Sequence, residues 1–553
     1  MTEITKSITY LNEYKSLKKA VDEGKTPVLT VGLSAIHKAN LAAAFGADTA
    51  RPVLVLTDDD NAANRFAADL RGFSEREVVV LPPRELVMAD VAGVSRGYEQ
   101  ARLAALDTLS GACFAVASVQ AAAQRTMPPA LLASSIVTLK AGEEAPLDEL
   151  THRLTDAGYE RCSQVEGMGQ FSVRGGILDI FPPQAEHPYR VEFWDDEIDS
   201  ISTFDVGSQR RLEQCETLRC LPCMEALPSL AKGGAAGLAK AVAALASSRR
   251  KKQHAELQKN LERDAERLRE SGTLPAADKY LPLIYPQMAT AFDYLPENTL
   301  ILIEDTPRLR DAARDFHARI ADDVTALMER GELPGGMDGY ALDFAGICSI
   351  KRQIVRMDSF LNSIPELAPQ HLENFVANQM NAYGGNLDMA SADIRSYTEQ
   401  GRAVAVVCGS TLRCKNMFDA LTDSGLKVQL SDLLPKGGCV NIMEGMISAG
   451  FEYPDLGLVV MTEGQVLARR KKAKVKRSNR DRVKSFTDLS PGDLVVHEHH
   501  GIGRFIGMER MTVDGSERDF IKIAFAGTDF LYVPATSLDL ISKYIGGGEG
   551  TAP

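Results

Sequence analysis

The sequence predicts a multidomain α/β protein: a degenerate P-loop-type α/β domain with a strand-rich insert, a second α/β domain, and a small C-terminal β-barrel. Three observations predict it. Residues 1 to about 125 alternate short apolar runs with amphipathic stretches, the βαβ pattern of a mostly parallel sheet. Residues about 126–215 read as strands and turns, and the later apolar run Leu300-Ile301-Leu302-Ile303 returns the chain to the first sheet. From Leu489 the texture changes to several short strands within 60 residues, which suits a strongly curved barrel.

Each element follows from its residues. Val28–Val31, Val53–Leu56, Val78–Leu81 and Phe114–Ala117 are short and apolar throughout, as parallel strands covered on both faces must be. Ala62–Leu70 and Tyr98–Leu109 are the helices between them. This first part spans 1–125, and the insert, 126–215, has turns at Ala141-Gly142, Arg174-Gly175-Gly176 and Asp195-Asp196. Residues 216–345 hold an Ala-rich, then charged, helical region ending near Ser271-Gly272, followed by the return strand. The second α/β unit, 350–467, has strands at Ala403–Cys408, Lys427–Leu430, Val440–Met443 and Leu458–Met461 and no role legible in the sequence. A basic linker (468–485) leads to the short-stranded module (486–546), where Asp514-Gly515 is the hairpin turn. Residues 547–553 read as a flexible end.

A chain of 553 residues exceeds what one hydrophobic core supports. No apolar run approaches the ~20 residues that span a bilayer, and the N-terminus lacks a signal-peptide core. Nine cysteines without regular spacing fit a reducing compartment, so the expected location is cytoplasmic, with no membrane partner. The net charge of −13 excludes a nucleic-acid footprint over the whole surface. Basic residues concentrate instead in Arg469–Lys484 and in Arg249-Arg250-Lys251-Lys252.

Two stretches carry candidate chemistry. Tyr189–Trp194 alternates strictly, so a strand puts Tyr189, Val191 and Phe193 on one face and Arg190, Glu192 and Trp194 on the other. Trp194 is the only tryptophan, and a Trp beside an Arg on a polar face is how interface anchors are arranged. The second stretch is Gly32-Leu33-Ser34-Ala35-Ile36-His37-Lys38-Ala39, where strand, glycine turn, lysine and helix follow in P-loop order. His37 stands where the second glycine belongs and Ala39 where the magnesium-binding hydroxyl belongs. Gly32 and Lys38 alone remain, so this loop is not expected to hold Mg-ATP.

The tracts Val173–Pro182 and Arg190–Asp199 resemble the UvrA-binding domain shared by the excision-repair protein UvrB and the transcription-repair coupling factors. UvrB has an intact P-loop in the domain its insert interrupts, whereas the coupling factors have a degenerate one. The lost loop therefore points to the latter family, as does Ser172, which stands where UvrB-type domains commonly have arginine. The resemblance implies UvrA as a partner, contacted through Arg174, Arg190, Trp194 and Glu192. Arg174 has a plainer reading, as a cap on the Gly175-Gly176 turn.

Pro491–Arg504, with Asp519–Ile523 and Leu531–Pro534, resembles the CarD-like (Tudor-like) RNA-polymerase-interaction domain. That family docks a strand edge on the RNA polymerase β subunit by β-augmentation. It implies contacts at Arg510, Met511, Ile521 and Tyr532, although Ile521 alternates with Ile523 and Phe525 and equally suits the core. His497, His499 and His500 lack the converging ligands zinc needs, and Cys220-Leu221-Pro222-Cys223 lacks a second pair, so no metal is assigned.

Together the resemblances imply an adaptor for transcription-coupled nucleotide excision repair, without ATPase activity or cofactor of its own. ATP and magnesium belong to the family's double-stranded DNA translocase, expected beyond residue 553. DNA is met mainly through that motor, and the basic linker is either a solvated tether or an additional DNA contact. The rival readings are an active UvrB-like helicase subunit and a CarD-type transcription regulator.

Overall fold

The computed structural model describes residues 2–88, 96–247, 255–380, 382–433, 438–467, 480–482, 492–497, 501–513, 516–524, 530–534 and 541–544. The first sheet begins with β1 (Val28–Val31), β2 (Val53–Thr57), β3 (Val78–Leu81) and β4 (Phe114–Ser118). The chain then leaves it for the insert. There β5 (Val137–Lys140) pairs antiparallel with β12 (Thr217–Cys220). A six-stranded sheet joins β6 (Glu160–Arg161), β7 (Gln170–Arg174), β8 (Ile177–Ile180), β9 (Tyr189–Trp194), β10 (Glu197–Phe204) and β11 (Arg211–Cys215) in sequential order. The insert therefore runs past the expected end at 215, because β12 closes on β5 and the Cys223 amide bonds to the Ala157 carbonyl at 2.9 Å.

After the helices Gly234–Ser247 and Ala255–Ser271, β13 (Leu300–Ile303) re-enters the first sheet between β2 and the next strand. The segment expected to open a second unit at 350 instead continues this sheet. β14 (Ile354–Met357) pairs with β1 and β13, and β15 (His371–Asn374) pairs with the other edge of β1. The completed order is β15-β1-β14-β13-β2-β4-β3, parallel at every pairing. Alternate residues feed two cores, as the period of a strand requires. Leu54, Leu56, Ile301 and Ile303 face the 226–295 region, while Val53, Val55, Leu300 and Leu302 face the N-terminal helices.

The second unit has β16 (Asn378–Gln379), β17 (Ala403–Cys408), β18 (Val428–Leu430), β19 (Val440–Glu444), β20 (Phe451–Tyr453) and β21 (Leu458–Thr462), in the order β16-β20-β21-β17-β19-β18. One face carries its own helices Leu387–Glu399 and Thr411–Asp423. The other joins the core of the first domain, with Val407, Phe451, Tyr453 and Val460 packed among residues of the helices Ala35–Thr49 and Asp60–Phe73. Asp69 fastens this contact, accepting from the Ser448 amide and hydroxyl at 2.7 Å each.

The last sheet comprises β22 (Arg480–Arg482), β23 (Leu494–His497), β24 (Gly501–Val513), β25 (Ser516–Ala524), β26 (Phe530–Pro534) and β27 (Ile541–Tyr544), antiparallel in the order β22-β27-β23-β24-β25-β26. β22 corrects the linker boundary: three of its basic-rich residues pair with β27. The rest of 468–485, the cluster at 249–252 and the Asp514-Gly515 turn lie outside the described residues. No helix among the described residues is long and apolar enough to cross a membrane.

Candidate protein-interaction site

The insert's six-stranded sheet packs one face on an apolar core, and its other, polar face is closed at Ser172, Asp179 and Ser202 and open at Trp194. Phe171, Leu178, Ile180, Val191 and Ile201 form the core beneath it. Register sets this polar face in rungs. Ser172, Asp179, Arg190 and Ser202 lie side by side across β7 to β10, and the next rung holds Arg174, Ile177, Glu192 and Ser200. Trp194 pairs with Glu197 at the end of the β9–β10 hairpin. Two tight turns bring that hairpin end beside the β7–β8 turn. Gly175 adopts φ +60°, and a side chain at Gly176 would press on the Phe193 carbonyl, 3.0 Å from an added Cβ.

The electrostatics of this face centre on Asp179, which is 1 % exposed. Its carboxylate accepts from Arg174 Nη2 at 2.7 Å, Arg190 Nε at 2.6 Å and Arg190 Nη2 at 2.8 Å. Charge-assisted bonds of this kind are roughly twice as strong as neutral ones. The hydrogen bonds to Asp179 raise the Arg190 pKa above its ordinary value. Arg190 also donates to the Gln209 carbonyl and side chain and lies 4.5 Å over the Phe204 ring. Glu192 is held by Arg211 and by Ser200 Oγ at 3.1 Å. Trp194, by contrast, is 81 % exposed.

All four residues expected to touch a partner thus share one face, and the turn-cap reading of Arg174 gives way to an ion pair with Asp179. Asp179 itself was missed, because it sits between Leu178 and Ile180 in an apolar run. Its position directly opposite Arg190 in the β8–β9 register is the signal that marks it.

The glycine loop has the opposite character. Gly32 has φ +85°, and an added Cβ would lie 2.1 Å from the Phe375 carbonyl oxygen, so the chain leaving β15 crosses directly over the turn. His37 is fully buried, with ring centroids of Phe451 and Tyr453 each 5.2 Å away and Nδ1 2.7 Å from Ser34 Oγ. Burial pulls the His37 pKa down to about 4. Lys38 is 4 % exposed, its pKa lowered by burial against the opposing pull of Glu304, Asp305 and Asp358. Burial pushes Glu304 up to about 7. Ala39 is fully buried.

In the C-terminal sheet Ile521 takes the core side of the two expected readings. It is fully buried with Val495, Phe505, Ile523 and Val533, so its side chain packs in the core of the described strands. The strand alternation turns Lys522 outward instead, where Nζ meets Glu509 at 2.8 Å and lies 5.2 Å over the half-buried Tyr532 ring. Arg510 and Met511 pair through β24 with Asp519 and Arg518, and their side chains lie outside the described residues, as do those of His497, His499 and His500. Cys220 and Cys223 are buried, and burial lifts Cys220 to about 12, away from thiolate chemistry.

Comparison with known proteins adds two matched domains and two relatives. Residues 137–225 match the model of the UvrB interaction domain, and residues 489–545 match that of the CarD-like/TRCF RID domain. The chain is 30 % identical to the transcription-repair-coupling factor of Bacillus subtilis (strain 168) over all of its own length and 48 % of the relative's. It is 26 % identical to the transcription-repair-coupling factor of Staphylococcus aureus (strain USA300), again over all of this chain and 48 % of that one. With both domains matched in order, the chain is related along its full length to the transcription-repair-coupling factors, of which it spans about half.

Proposed function

We propose that this chain is a docking adaptor of transcription-coupled nucleotide excision repair. Residues 489–545 bind stalled RNA polymerase, through its β subunit, and the insert recruits UvrA. The observation that carries the recruiting role is Trp194, exposed on a polar sheet face whose arginines are already fixed in place. A large aromatic left in water beside ordered guanidinium groups is a candidate hot spot. A thirteen-residue β24, bent where the register shifts between Phe505 and Gly507, supports a small barrel-like module for the polymerase side.

The P-loop-type reading of the first domain is supported by the strand–glycine–helix layout at Gly32–Ala39. Its loss of nucleotide chemistry is supported by the Phe375 carbonyl closing over Gly32, by the burial of His37 against Phe451 and Tyr453, and by the burial of Lys38. ATP-driven translocation on DNA then lies outside these residues, as does any cofactor. Binding of the chain to immobilised UvrA, and separately to RNA polymerase core enzyme, tests the proposal. Two independent binding events without ATP turnover are expected. Binding to polymerase alone would leave a CarD-type regulator, and stabilisation by Mg-ATP would favour a UvrB-like helicase subunit.

A further inference from the structure

The face just described divides its residues unequally, and the division assigns roles. A guanidinium has five N–H donors. Arg190 spends four of them: Nε and Nη2 on the two oxygens of Asp179, Nη2 again on Gln209 Oε1 at 3.2 Å, and Nη1 on the Gln209 carbonyl at 3.4 Å. Its side chain is only 15 % exposed and lies over the buried Phe204 ring. Gln209 holds a left-handed backbone, φ +58°, and both its carbonyl and its side-chain oxygen reach the same guanidinium. Such a conformation costs about 1–3 kcal/mol in a non-glycine residue, so surrounding contacts hold it in place.

Arg174 is arranged differently. Half of its side chain is exposed, and one Nη2–H is committed to Asp179 Oδ2. Asp179 is therefore the shared anchor of both arginines, with one oxygen given to Arg190 and the other divided between them. Without its charge, the two guanidinium groups on the strands flanking β8 would repel one another and Arg174 would swing free.

We infer that Asp179 and Arg190 are positioning residues that fix Arg174, and that Arg174 and Trp194 make the direct contact with an acidic surface on the partner. The inference rests on the proposal that this face binds UvrA and deepens it. Arg190 is the floor of the site, and the partner's carboxylate meets the free donors of Arg174. A preset guanidinium loses less side-chain freedom on binding, which is how preorganisation raises affinity.

Double-mutant cycles in the whole chain, read as the dissociation constant for purified UvrA, test this. Asp179→Asn and Arg190→Gln are each expected to weaken binding about tenfold. In an Arg174→Gln background, neither should add more than about twofold, because the group they position is gone. Polymerase binding by the same variants should stay unchanged, which separates a local effect from loss of fold. The inference is overturned if Arg190→Gln keeps its full effect in the Arg174→Gln background, since Arg190 would then touch UvrA itself. It is equally overturned if Asp179→Asn binds as wild type does. Absence of UvrA binding by the wild-type chain is a different signal: it removes the underlying recruitment proposal, and this one with it.

Discussion

The turn at Gly32–Ala39 and the sheet face at Arg174–Trp194 both set cationic side chains beside an apolar framework, and they end in opposite states. In the first, Lys38 is 4 % exposed and His37 is fully buried beneath Phe451 and Tyr453 of β20, while the chain leaving β15 closes over Gly32. In the second, Trp194 stays 81 % exposed while the other face of the same sheet packs on the insert's apolar core. A turn without a ligand to admit can be filled by its own chain, which gains buried apolar area and loses access. A surface kept for a partner retains the opposite bias and leaves its aromatic in water.

The largest effect should come from reopening the covered turn. Gly32→Ala places a methyl group against the Phe375 carbonyl at a backbone angle that alanine rarely adopts, and should cost about 3 kcal/mol or more in thermal or denaturant unfolding. A silent substitution would show that the crossing chain yields easily, and the contrast between the two sites would lose its basis. Next, Trp194→Ala should weaken UvrA binding by about 2 kcal/mol, near thirtyfold, with no change in melting temperature, since an exposed side chain contributes little to the fold. A drop in stability without loss of affinity would reverse the assignment.

Acid sharpens the comparison further. His37 is held near 4 against an ordinary 6.5, so between those values the unfolded chain takes up a proton that the folded chain refuses. Its contribution to stability is full above 6.5 and falls as pH drops towards 4, by about 3 kcal/mol in total. Glu304 works the other way: raised to about 7 from 4.5, it contributes less as pH rises through that window. The measurement is therefore the difference between wild type and His37→Leu across pH 4 to 6.5, with wild type losing more stability on acidification. An unchanged difference would mean that water reaches the imidazole. Smallest of all, saturating Mg-ATP should leave the melting temperature where it is, because a ligand stabilises only the state that binds it. A concentration-dependent rise would show that the covered turn still opens to nucleotide.

Local texture made much of this legible. The strands of the first sheet stand out because each is apolar on both faces, and the polar face of β9 because its residues alternate. What the sequence hid is non-local. Ile354–Met357 and His371–Asn374 look like the start of a new unit, yet parallel pairing carries both back to β1 across more than 300 residues. Nothing near His37 announces Phe451 and Tyr453. Asp179 is masked by its apolar neighbours until register sets it opposite Arg190. Ile521 fits either face on alternation alone, and only the packing of Val495, Phe505 and Val533 around it decides.

The position of β1 has a consequence for how the protein is made. Both of its neighbours, β14 and β15, come late in the chain: Val28 lies beside Val355 and His371. A ribosome adding ~5–20 residues per second takes roughly 20–70 s to travel from one to the other. Throughout that interval the strand carrying the glycine turn emerges with both edges bare, while the insert, whose sheet joins only consecutive strands, can already close. The recruiting face is thus free to mature before the domain that surrounds it. A nascent chain halted before residue 371 should present a folded insert on an unfinished scaffold, which pulse proteolysis of stalled ribosome complexes would reveal.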